Sequence, residues 1–556
     1  MKKYYKVFIS TISIIFILSV LYYIIFPSKG EYNSDSADTI LWAKASIDAG
    51  GLFNENFEYA ALFTFGGQLL MIPFIKLFGY GITANICGMV VFYLLFLTAL
   101  FFIFKKMDFS LTWNLFSLAV VMMLISLSVK MREIFWQHII YYSLGMLFLY
   151  VGICLVDASA KEIHKNLVKY DYKQMDGITL AQKIKNRVRE IVLLLITFVW
   201  FMLCSTNQTV TFAMLVVPLL GALIGLIVLN PLTPKVYADN KLEKKHFDSI
   251  IVKLISVVTL ASLLGYRFGT FLKRNVSSSY QDGYSKMSLP ETWSDHLKSF
   301  FPALLDMMGI GYLGDVQLMS ANGVIALYKV VCAILLILIP LLAIISWKKI
   351  KSIKFRFMIL IHFILCTIIM LGFVCGFLSA ANWRISPVYV SCIVTSLLYV
   401  KWLFKDIKTK NLSVLICIGM FALAAISFVG ICKLKPDYGK DKFAMKMVDY
   451  LEENGYTDGY ATFWNSALIT LLSNGKIRLR NIAIDGADMR LYHYQQESNW
   501  FKDEELEKNT FILTTADEYT NLVLDGCEVA NYASNFIVND DFVIMEYTFN
   551  PASVMK

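Results

Sequence analysis

Long apolar runs recur along this chain of 556 residues, and they constrain its fold more than any other feature. Each run is about twenty residues long, which is the length of α-helix that crosses the hydrocarbon of a bilayer. The runs predict an all-α polytopic membrane bundle of about eleven transmembrane helices. The predicted spans are 6–26, 82–104, 111–129, 139–156, 191–204, 209–229, 250–271, 325–346, 356–378, 386–403 and 412–432.

The composition excludes an ordinary soluble protein. Hydrophobic residues make up 57% of the chain and charged residues 17%, whereas roughly 25% of the residues in globular domains are charged. The net charge of +9 comes from lysines in short loops between spans, so we expect no nucleic-acid partner. The ten cysteines show no metal-ligand spacing, and we predict neither zinc nor structural disulfides.

The distribution of Lys and Arg predicts the orientation of the bundle. The six segments assigned to the cytoplasm hold 26 of these residues, whereas four short loops on the other side hold 5. Because basic residues favour cytoplasmic loops, we predict a cytoplasmic N-terminus and an exterior C-terminus. The run Val7–Phe26 is longer than the core of a signal peptide and has no cleavage site, so we predict that it is retained as the first span.

Three longer pieces fall on the predicted exterior side of a transmembrane domain that covers 1–432. The first exterior loop, 27–81, contains "ADTILWAKASIDAG" and "FGGQLLMIPFIKLFG", which predict helices lying along the membrane surface. A long polar loop covers 272–324. The tail, 433–556, predicts a small soluble α/β or α+β domain with strands at "YATFW", "IRLRNIAI", "TFILTT" and "DFVIMEYTF".

Two acids follow the first predicted span, and they are candidates for chemistry. Asp35 and Asp38 lie three residues apart, so they share one face if the segment is helical. Either carboxylate could act as a general base, because burial and a neighbouring acid move a carboxyl pKa toward working pH. The alternative is a solvated acidic linker or a helix N-cap, for which Asp and Ser are favoured.

Polar and aromatic residues gather in the other predicted exterior hairpins. Each is ordinary at a membrane interface by itself. Three arginines among them lie where helices leave the bilayer, and guanidinium groups bind phosphate in a bidentate way, so lipid phosphate is a natural partner. In the tail, Phe463 and Trp464 could stack on a sugar or pack into the core. The hairpin residues are Arg132, Glu133, Trp136, Gln137, His138, Asn207, Gln208, Asn382, Trp383 and Arg384, and Arg267 lies near the outer end of the seventh predicted span.

Taken together, these pieces resemble the GT-C superfamily of integral-membrane glycosyltransferases, which includes protein O-mannosyltransferases and bacterial lipid A aminoarabinose transferases. The resemblance rests on "NSDSADTILWAKASIDAGG" after the first span, on the surface helix "FGGQLLMIPFIKLFG", and on "NWRISP", which is similar to an Arg-x-x-Pro step in many members. It covers about residues 6–430. Many members have adjacent acids, whereas Ser36 and Ala37 separate Asp35 from Asp38 here, which leaves open which acid is the base.

The resemblance implies transfer of a sugar from a polyprenyl-phosphate donor to an exterior acceptor, which could be a glycan, a lipid or a protein. It implies Asp35 or Asp38 as the general base. Two acids could also hold a divalent cation, although no further ligands are evident. The implied phosphate ligands are Arg384, Arg267 and Arg132, and the implied cleft residues are Glu133, Trp136, His138, Asn207, Gln208, Asn382 and Trp383.

Other functions fit the same architecture. A polysaccharide polymerase or ligase would use a lipid-linked donor too, and its large exterior loop would correspond to 272–324. A transporter or a scaffold in envelope assembly is the non-enzymatic alternative, but the apolar centres of the spans carry few ionisable residues. The abundance of Lys, Asn and Ile indicates an AT-rich bacterial genome, which favours a bacterial plasma membrane and an undecaprenyl-phosphate carrier.

Overall fold

The computed structural model describes residues 2–171, 180–229, 244–276, 278, 286–311, 317, 319–378, 381–501 and 510–555. Within these residues, ten helices are long and apolar enough to cross a membrane, and a bent pair would make an eleventh span. The prediction of a polytopic bundle of about eleven spans is therefore confirmed. The membrane helices are α1 (Lys2–Ile25), α4 (Ile82–Lys106), α7 (Tyr141–Asp171), α8 (Leu180–Ser205), α9 (Thr209–Leu229), α10 (Lys244–Leu272), α12 (Ala321–Ile345), α13 (Ile353–Val374), α14 (Ser386–Leu403) and α15 (Lys410–Cys432).

The bent pair replaces the third predicted span. Helix α5 (Leu111–Ile125) ends before the predicted boundary, and α6 (Val129–Trp136) continues at an angle of 112° to it. The Ser128 side chain accepts a hydrogen bond from the Met131 backbone N–H, which caps the start of α6. The bend keeps the polar residues of α6 together at one end of the bundle.

The first loop contains short helices and no further span. Two 3-10 turns, Pro27–Glu31 and Ser34–Ala37, lead into α2 (Asp38–Asp48), and α3 (Gln68–Phe78) follows. An 11-residue helix such as either of these is about 16 Å long, whereas the hydrocarbon core is about 30 Å thick. Neither helix can cross it, which agrees with the interpretation of 60–78 as a segment that does not span the membrane.

The loop 272–324 carries a helix of its own. Helix α11 (Trp293–Met307) is preceded by a 3-10 turn at Pro290–Thr292, and it packs against α13 and against the 3-10 turn Asn382–Ile385. This loop therefore lies beside the "NWRI" segment.

The C-terminal part forms a six-stranded sheet with helices, as expected for a small α/β or α+β domain. The strand order is β3-β2-β1-β4-β6-β5, with β1 parallel to β2 and β4 and the other pairs antiparallel. All four predicted strands are present, and two short edge strands, β3 and β5, join them. The elements are α16 (Phe443–Glu453), β1 (Asp458–Thr462), α17 (Phe463–Leu472), β2 (Arg478–Asp485), β3 (Asp488–Leu491), β4 (Thr510–Thr515), α18 (Ala516–Leu524), α19 (Glu528–Asn531), β5 (Asn535–Val538) and β6 (Phe542–Tyr547).

The sheet domain is joined to the first loop by hydrogen bonds. The Ser34 hydroxyl donates to the carbonyls of Phe463 and Trp464, at 2.8 and 2.6 Å. The backbone N–H of Gln495 donates to the Glu58 carbonyl at 2.8 Å. We call the end of the bundle that carries this domain the sheet side. The acidic segment of the first loop thus lies where bundle and sheet domain meet.

Candidate active site

The acidic segment is positioned by its own capping interactions. The Asn33 side chain accepts from the Ser36 backbone N–H at 3.1 Å, and the Ser36 hydroxyl accepts from the Asn33 backbone N–H at 3.2 Å. This reciprocal pair is a capping box, and it fixes the 3-10 turn that carries Asp35. Asp38 then begins α2, so the two acids occupy different elements and face different surroundings.

Asp38 is buried and is held by the sheet domain. Its side chain is 5% exposed, and its Oδ1 accepts a hydrogen bond of 2.7 Å from the Gln495 amide. The Gln495 Oε1 in turn accepts from the Trp42 indole N–H at 2.7 Å. Burial raises the pKa of Asp38 well above its usual range, and the nearby charges of Asp35 and Glu133 raise it further. Asp38 is therefore a fixed carboxyl with little access to substrate.

Asp35 remains open to a ligand. Its side chain is partly exposed, and no donor among the described residues makes a hydrogen bond to its carboxylate. Burial raises the pKa of Asp35, the charges of His138 and Lys130 oppose the rise, and that of Glu133 adds to it. A partly buried carboxylate that has raised basicity and free lone pairs is suited to accept a proton.

A polar cluster on and after α6 faces Asp35. Lys130 Nζ donates to both Glu133 carboxylate oxygens, at 2.8 and 2.7 Å, and His138 Nε2 lies 3.9 Å from Glu133 Oε1. His138 Nδ1 is buried and has no partner among the described residues. Lys130 Nζ also lies over the Trp383 ring, 4.9 Å from its centroid. Three predicted cleft residues, Glu133, His138 and Trp383, are thus brought together near Asp35.

The "NWR" segment continues this cluster. Arg384 is largely buried, its Nη1 donates to the Tyr142 hydroxyl at 2.9 Å, and its guanidinium lies 5.9 Å from the centroid of the Tyr141 ring. The Asn382 amide donates to the Asp306 carboxylate of α11. Because Arg384 adjoins Trp383, which contacts Lys130, its cation is on the same side of the bundle as Asp35.

The sequence predicts Arg132 as a phosphate ligand, but in the structure its guanidinium is paired within the protein. Its Nε and Nη2 donate to the two carboxylate oxygens of Glu31, at 2.9 and 2.6 Å, and its Nη1 donates to the Ser126 carbonyl at 2.9 Å. The guanidinium also lies over the Tyr23 ring, 5.3 Å from its centroid. Because Glu31 satisfies this charge in a bidentate way, Arg132 joins α6 to the 3-10 turn that follows α1.

Two of the other predicted cleft residues are structural. Trp136 is fully buried and donates its indole N–H to the Ser126 hydroxyl at 2.9 Å, so it belongs to the core and does not line a cleft. Asn207 forms two hydrogen bonds with the backbone of Phe65, at 3.0 and 2.7 Å. This amide holds the first loop against the α8–α9 turn.

The remaining two predicted residues, Gln208 and Arg267, lie apart from this cluster. The Gln208 amide donates to the Thr270 hydroxyl at 2.9 Å and so joins the α8–α9 turn to α10. Arg267 is exposed on α10, and no contact between described residues connects it with Asp35. The structure therefore does not bring Arg267 to the acidic segment.

The sequence reasoning missed three residues that shape the site: Glu31, Lys130 and Gln495. Glu31 and Lys130 have a local signal, because each lies within four residues of a residue that was singled out. Gln495 has none, since it is 457 residues from Asp38. Within the described part of the chain, no group of three or more His, Cys, Asp or Glu is arranged to hold a metal ion.

Trp464 lies at the edge of the same region. This residue is 64% exposed, whereas its neighbour Phe463 is buried. Its carbonyl accepts the hydrogen bond from Ser34, the residue before Asp35. An exposed indole beside the acidic segment is a surface on which a sugar ring can stack.

No protein-family model matches the sequence, and no curated protein sequence matches it. Among solved structures, the chain is similar to the Archaeoglobus fulgidus oligosaccharyltransferase in the apo form, with TM-score 0.46 and 10% identity over 96% of this chain and 73% of that one. It is similar to AglB from the same organism, in complex with an inhibitory peptide and a dolichol-phosphate, with TM-score 0.49 and 10% identity over 100% and 78%. ArnT from Cupriavidus metallidurans bound to undecaprenyl phosphate matches with TM-score 0.46 and 9% identity over 98% and 99%.

Proposed function

We propose that this protein is a membrane glycosyltransferase of the GT-C type, which moves a sugar from a polyprenyl-phosphate donor to an acceptor on the sheet side. The observation that carries the proposal is the contrast between the two acids. Asp38 is buried and bonded to Gln495, whereas Asp35 is partly exposed, receives no hydrogen bond from the described residues, and faces Lys130 and His138. Asp35 is the general base in this proposal, and Asp38 is a positioning residue.

The reaction we propose is a direct displacement. The Asp35 carboxylate accepts the proton of an acceptor hydroxyl while the hydroxyl oxygen forms a bond to the anomeric carbon. The bond from that carbon to the phosphate oxygen breaks, the phosphate leaves with the electron pair, and the anomeric configuration inverts. The cations of Arg384 and Lys130 stabilise the charge that develops on the leaving phosphate.

We also propose the surroundings of this reaction. The lipid tail of the donor lies against the apolar helices, its phosphate lies at the interface beside Arg384, and its sugar stacks on Trp464. The N-terminus is cytoplasmic and the sheet domain lies outside a bacterial plasma membrane, with undecaprenyl phosphate as the carrier. The acceptor is a glycan, a lipid or a protein.

Substitution of the two acids tests this proposal. We expect Asp35→Asn to lower the rate of sugar transfer from a polyprenyl-phosphate donor by about 10²–10⁴-fold, which is the usual contribution of a general base. We expect Asp38→Asn to have a smaller effect, since an amide oxygen can still accept from Gln495. The rates are measured with purified protein in detergent, by following radiolabelled sugar released from the lipid and recovered on a cell-envelope acceptor fraction.

The matched control is Asp48→Asn, at the far end of α2, where the carboxylate pairs with Lys44 on the helix surface. This variant should retain wild-type transfer. Wild-type transfer by Asp35→Asn would refute the assignment of the base. Equal losses in Asp35→Asn and Asp48→Asn would show that the helix as a whole had been perturbed.

A further inference from the structure

We infer that the end of the bundle opposite the sheet domain holds a binding site for an anionic phospholipid. Ligand sites are typically cavities of about 300–1,000 Å³, and one of about 540 Å³ lies here between α7, α9, α10 and the start of α13. Its distance from the sheet side follows from the 25-residue helix α4, which begins beside Asn474 of the sheet domain and ends at Lys106. The inference is independent of the proposed function.

The cavity has a surplus of positive charge at its mouth. Three ammonium groups converge on the single carboxylate of Asp157: those of Lys106 and Lys161 lie 2.8 Å from Oδ2, and that of Lys354 lies 4.0 Å from Oδ1. One further lysine and one further acid, Lys351 and Asp108, also line the cavity. Lys351 already has an interaction partner. Among the described residues around the cavity, the other three lysines, Lys106, Lys161 and Lys354, oppose two acids, and an entering anion would balance the remaining charge.

These lysines are not merely spread over a cytoplasmic surface. The Lys106 side chain is only 18% exposed and that of Asp157 only 16%. Lys354 Nζ also donates to the Lys106 carbonyl at 3.1 Å, which holds it over the carboxylate. Lysines that serve only to orient a membrane protein need no such convergence, whereas a phosphate headgroup is bound by several cations held in place.

An apolar wall continues from the lysines into the bundle. It is formed by Leu223 and Leu226 of α9, Ile250 and Leu254 of α10, and Phe357 of α13. A small soluble anion would contact the lysines and none of these apolar side chains. A phospholipid satisfies both parts, because its phosphate meets the ammonium groups and an acyl chain covers the apolar side chains. The combination points to a lipid and not to free phosphate.

Native mass spectrometry of the full chain, delipidated in detergent, tests the inference. We expect dioleoyl-phosphatidylglycerol to bind with at least about tenfold higher affinity than dioleoyl-phosphatidylcholine, because charge-assisted hydrogen bonds to the phosphate are gained without a competing headgroup cation. The double substitution Lys161→Gln with Lys354→Gln should remove this preference. Ile250→Trp places a larger side chain in the apolar part of the cavity and leaves every lysine in place. It should weaken the binding of dioleoyl-phosphatidylglycerol about as much as the double lysine substitution does.

The matched control is Lys446→Gln with Lys476→Gln, a pair of exposed sheet-domain lysines that also form ion pairs. This control should bind like the wild type. Unchanged lipid binding in both cavity variants would overturn the inference, as would equal affinities for the two lipids. If millimolar inorganic phosphate displaced the lipid and Ile250→Trp still bound phosphate normally, the lysines would be a site for a soluble anion. That result would also overturn the inference.

Discussion

Two aspartates separated by two residues differ because their environments differ. The carboxylate of Asp38 lies in a closed space where the Gln495 amide meets it, whereas that of Asp35 lies on a 3-10 turn that faces Lys130 and Glu133. Residues three apart are aligned in a 3-10 turn, so the difference comes from the side chains that each carboxyl group meets. At the scale of residues, the partners of each carboxyl group therefore distinguish the proposed base from its neighbour.

The buried carboxyl of Asp38 has a consequence for stability. Its pKa is raised in the folded protein by burial, so the folded state holds this proton at pH values where the unfolded chain has released it. The pKa of an aspartate in the unfolded chain is about 4. Below this pH the contribution of Asp38 to the stability of the folded protein is fully present, and it declines as the pH rises toward the pKa of Asp38 in the folded protein. We expect Asp38→Asn, which keeps an acceptor for Gln495, to unfold at a higher temperature than the wild type, with a gain that grows as the pH rises from 4.

Thermal unfolding of both proteins in detergent across this pH range measures the effect. Asp48→Asn serves again as the control and should show no gain. If the stability difference between Asp38→Asn and the wild type stayed constant from pH 4 upward, the result would contradict a raised pKa for Asp38.

At the scale of elements, the turn after α1 depends on a close approach between backbones. Gly30 lies against the segment that follows α15, and a Cβ at this position would lie 2.2 Å from the Tyr438 carbonyl oxygen. No side chain fits there without movement of the backbone. The Lys442 ammonium also donates to the Gly30 carbonyl. The turn and the start of the sheet domain are therefore held together at this glycine.

We expect Gly30→Ala to destabilise the protein by about 1–3 kcal/mol, the usual result of forcing extra volume into a packed site. The measurement is the unfolding midpoint of the purified protein. Gly51→Ala is the control, since the nearest atom to its Cβ would be 3.7 Å away. A Gly30→Ala protein as stable as the Gly51→Ala protein would show that the two segments can separate freely.

Hydropathy predicts the membrane helices well because each must cover the bilayer with apolar side chains. All ten long helices lie where the apolar runs indicate, and α2 and α3 follow the two patterns of the first loop. The bend after Ile125 was not predicted, since Ser126 and Ser128 interrupt the run only briefly. The edge strands β3 and β5 have four residues each, too few to show a period.

At the scale of the whole molecule, the site is shared between the bundle and the sheet domain. The local candidates Asp35, Glu133, His138, Trp383 and Arg384 could be identified because acids, cations and aromatics near predicted helix ends have a recognisable chemistry. The pairing of Asp38 with Gln495 could not, because it depends on how the sheet domain packs. Nor could the pairing of Arg132, since its partner Glu31 is 101 residues away.

We expect Gln495→Ala to lower transfer by about tenfold or more, because it leaves a buried carboxyl and the Trp42 indole without a partner. The rate and the unfolding temperature are measured together, so that loss of activity can be separated from loss of structure. Asn521→Ala, at an exposed position of the sheet domain, is the control. Wild-type transfer by Gln495→Ala would show that the sheet domain has no part in arranging the acids.

The bond between Gln495 and Asp38 also determines when in the life of the chain the site becomes complete. Asp38 is synthesised early, soon after the first membrane helix, whereas Gln495 is added only after the last membrane helix has ended at Cys432. Until the sheet domain has been made and has folded against the first loop, Asp38 lacks its partner. A ribosome-bound chain with an inserted bundle would therefore still lack this bond, and the proposed site would be fully arranged only after the sheet domain has folded.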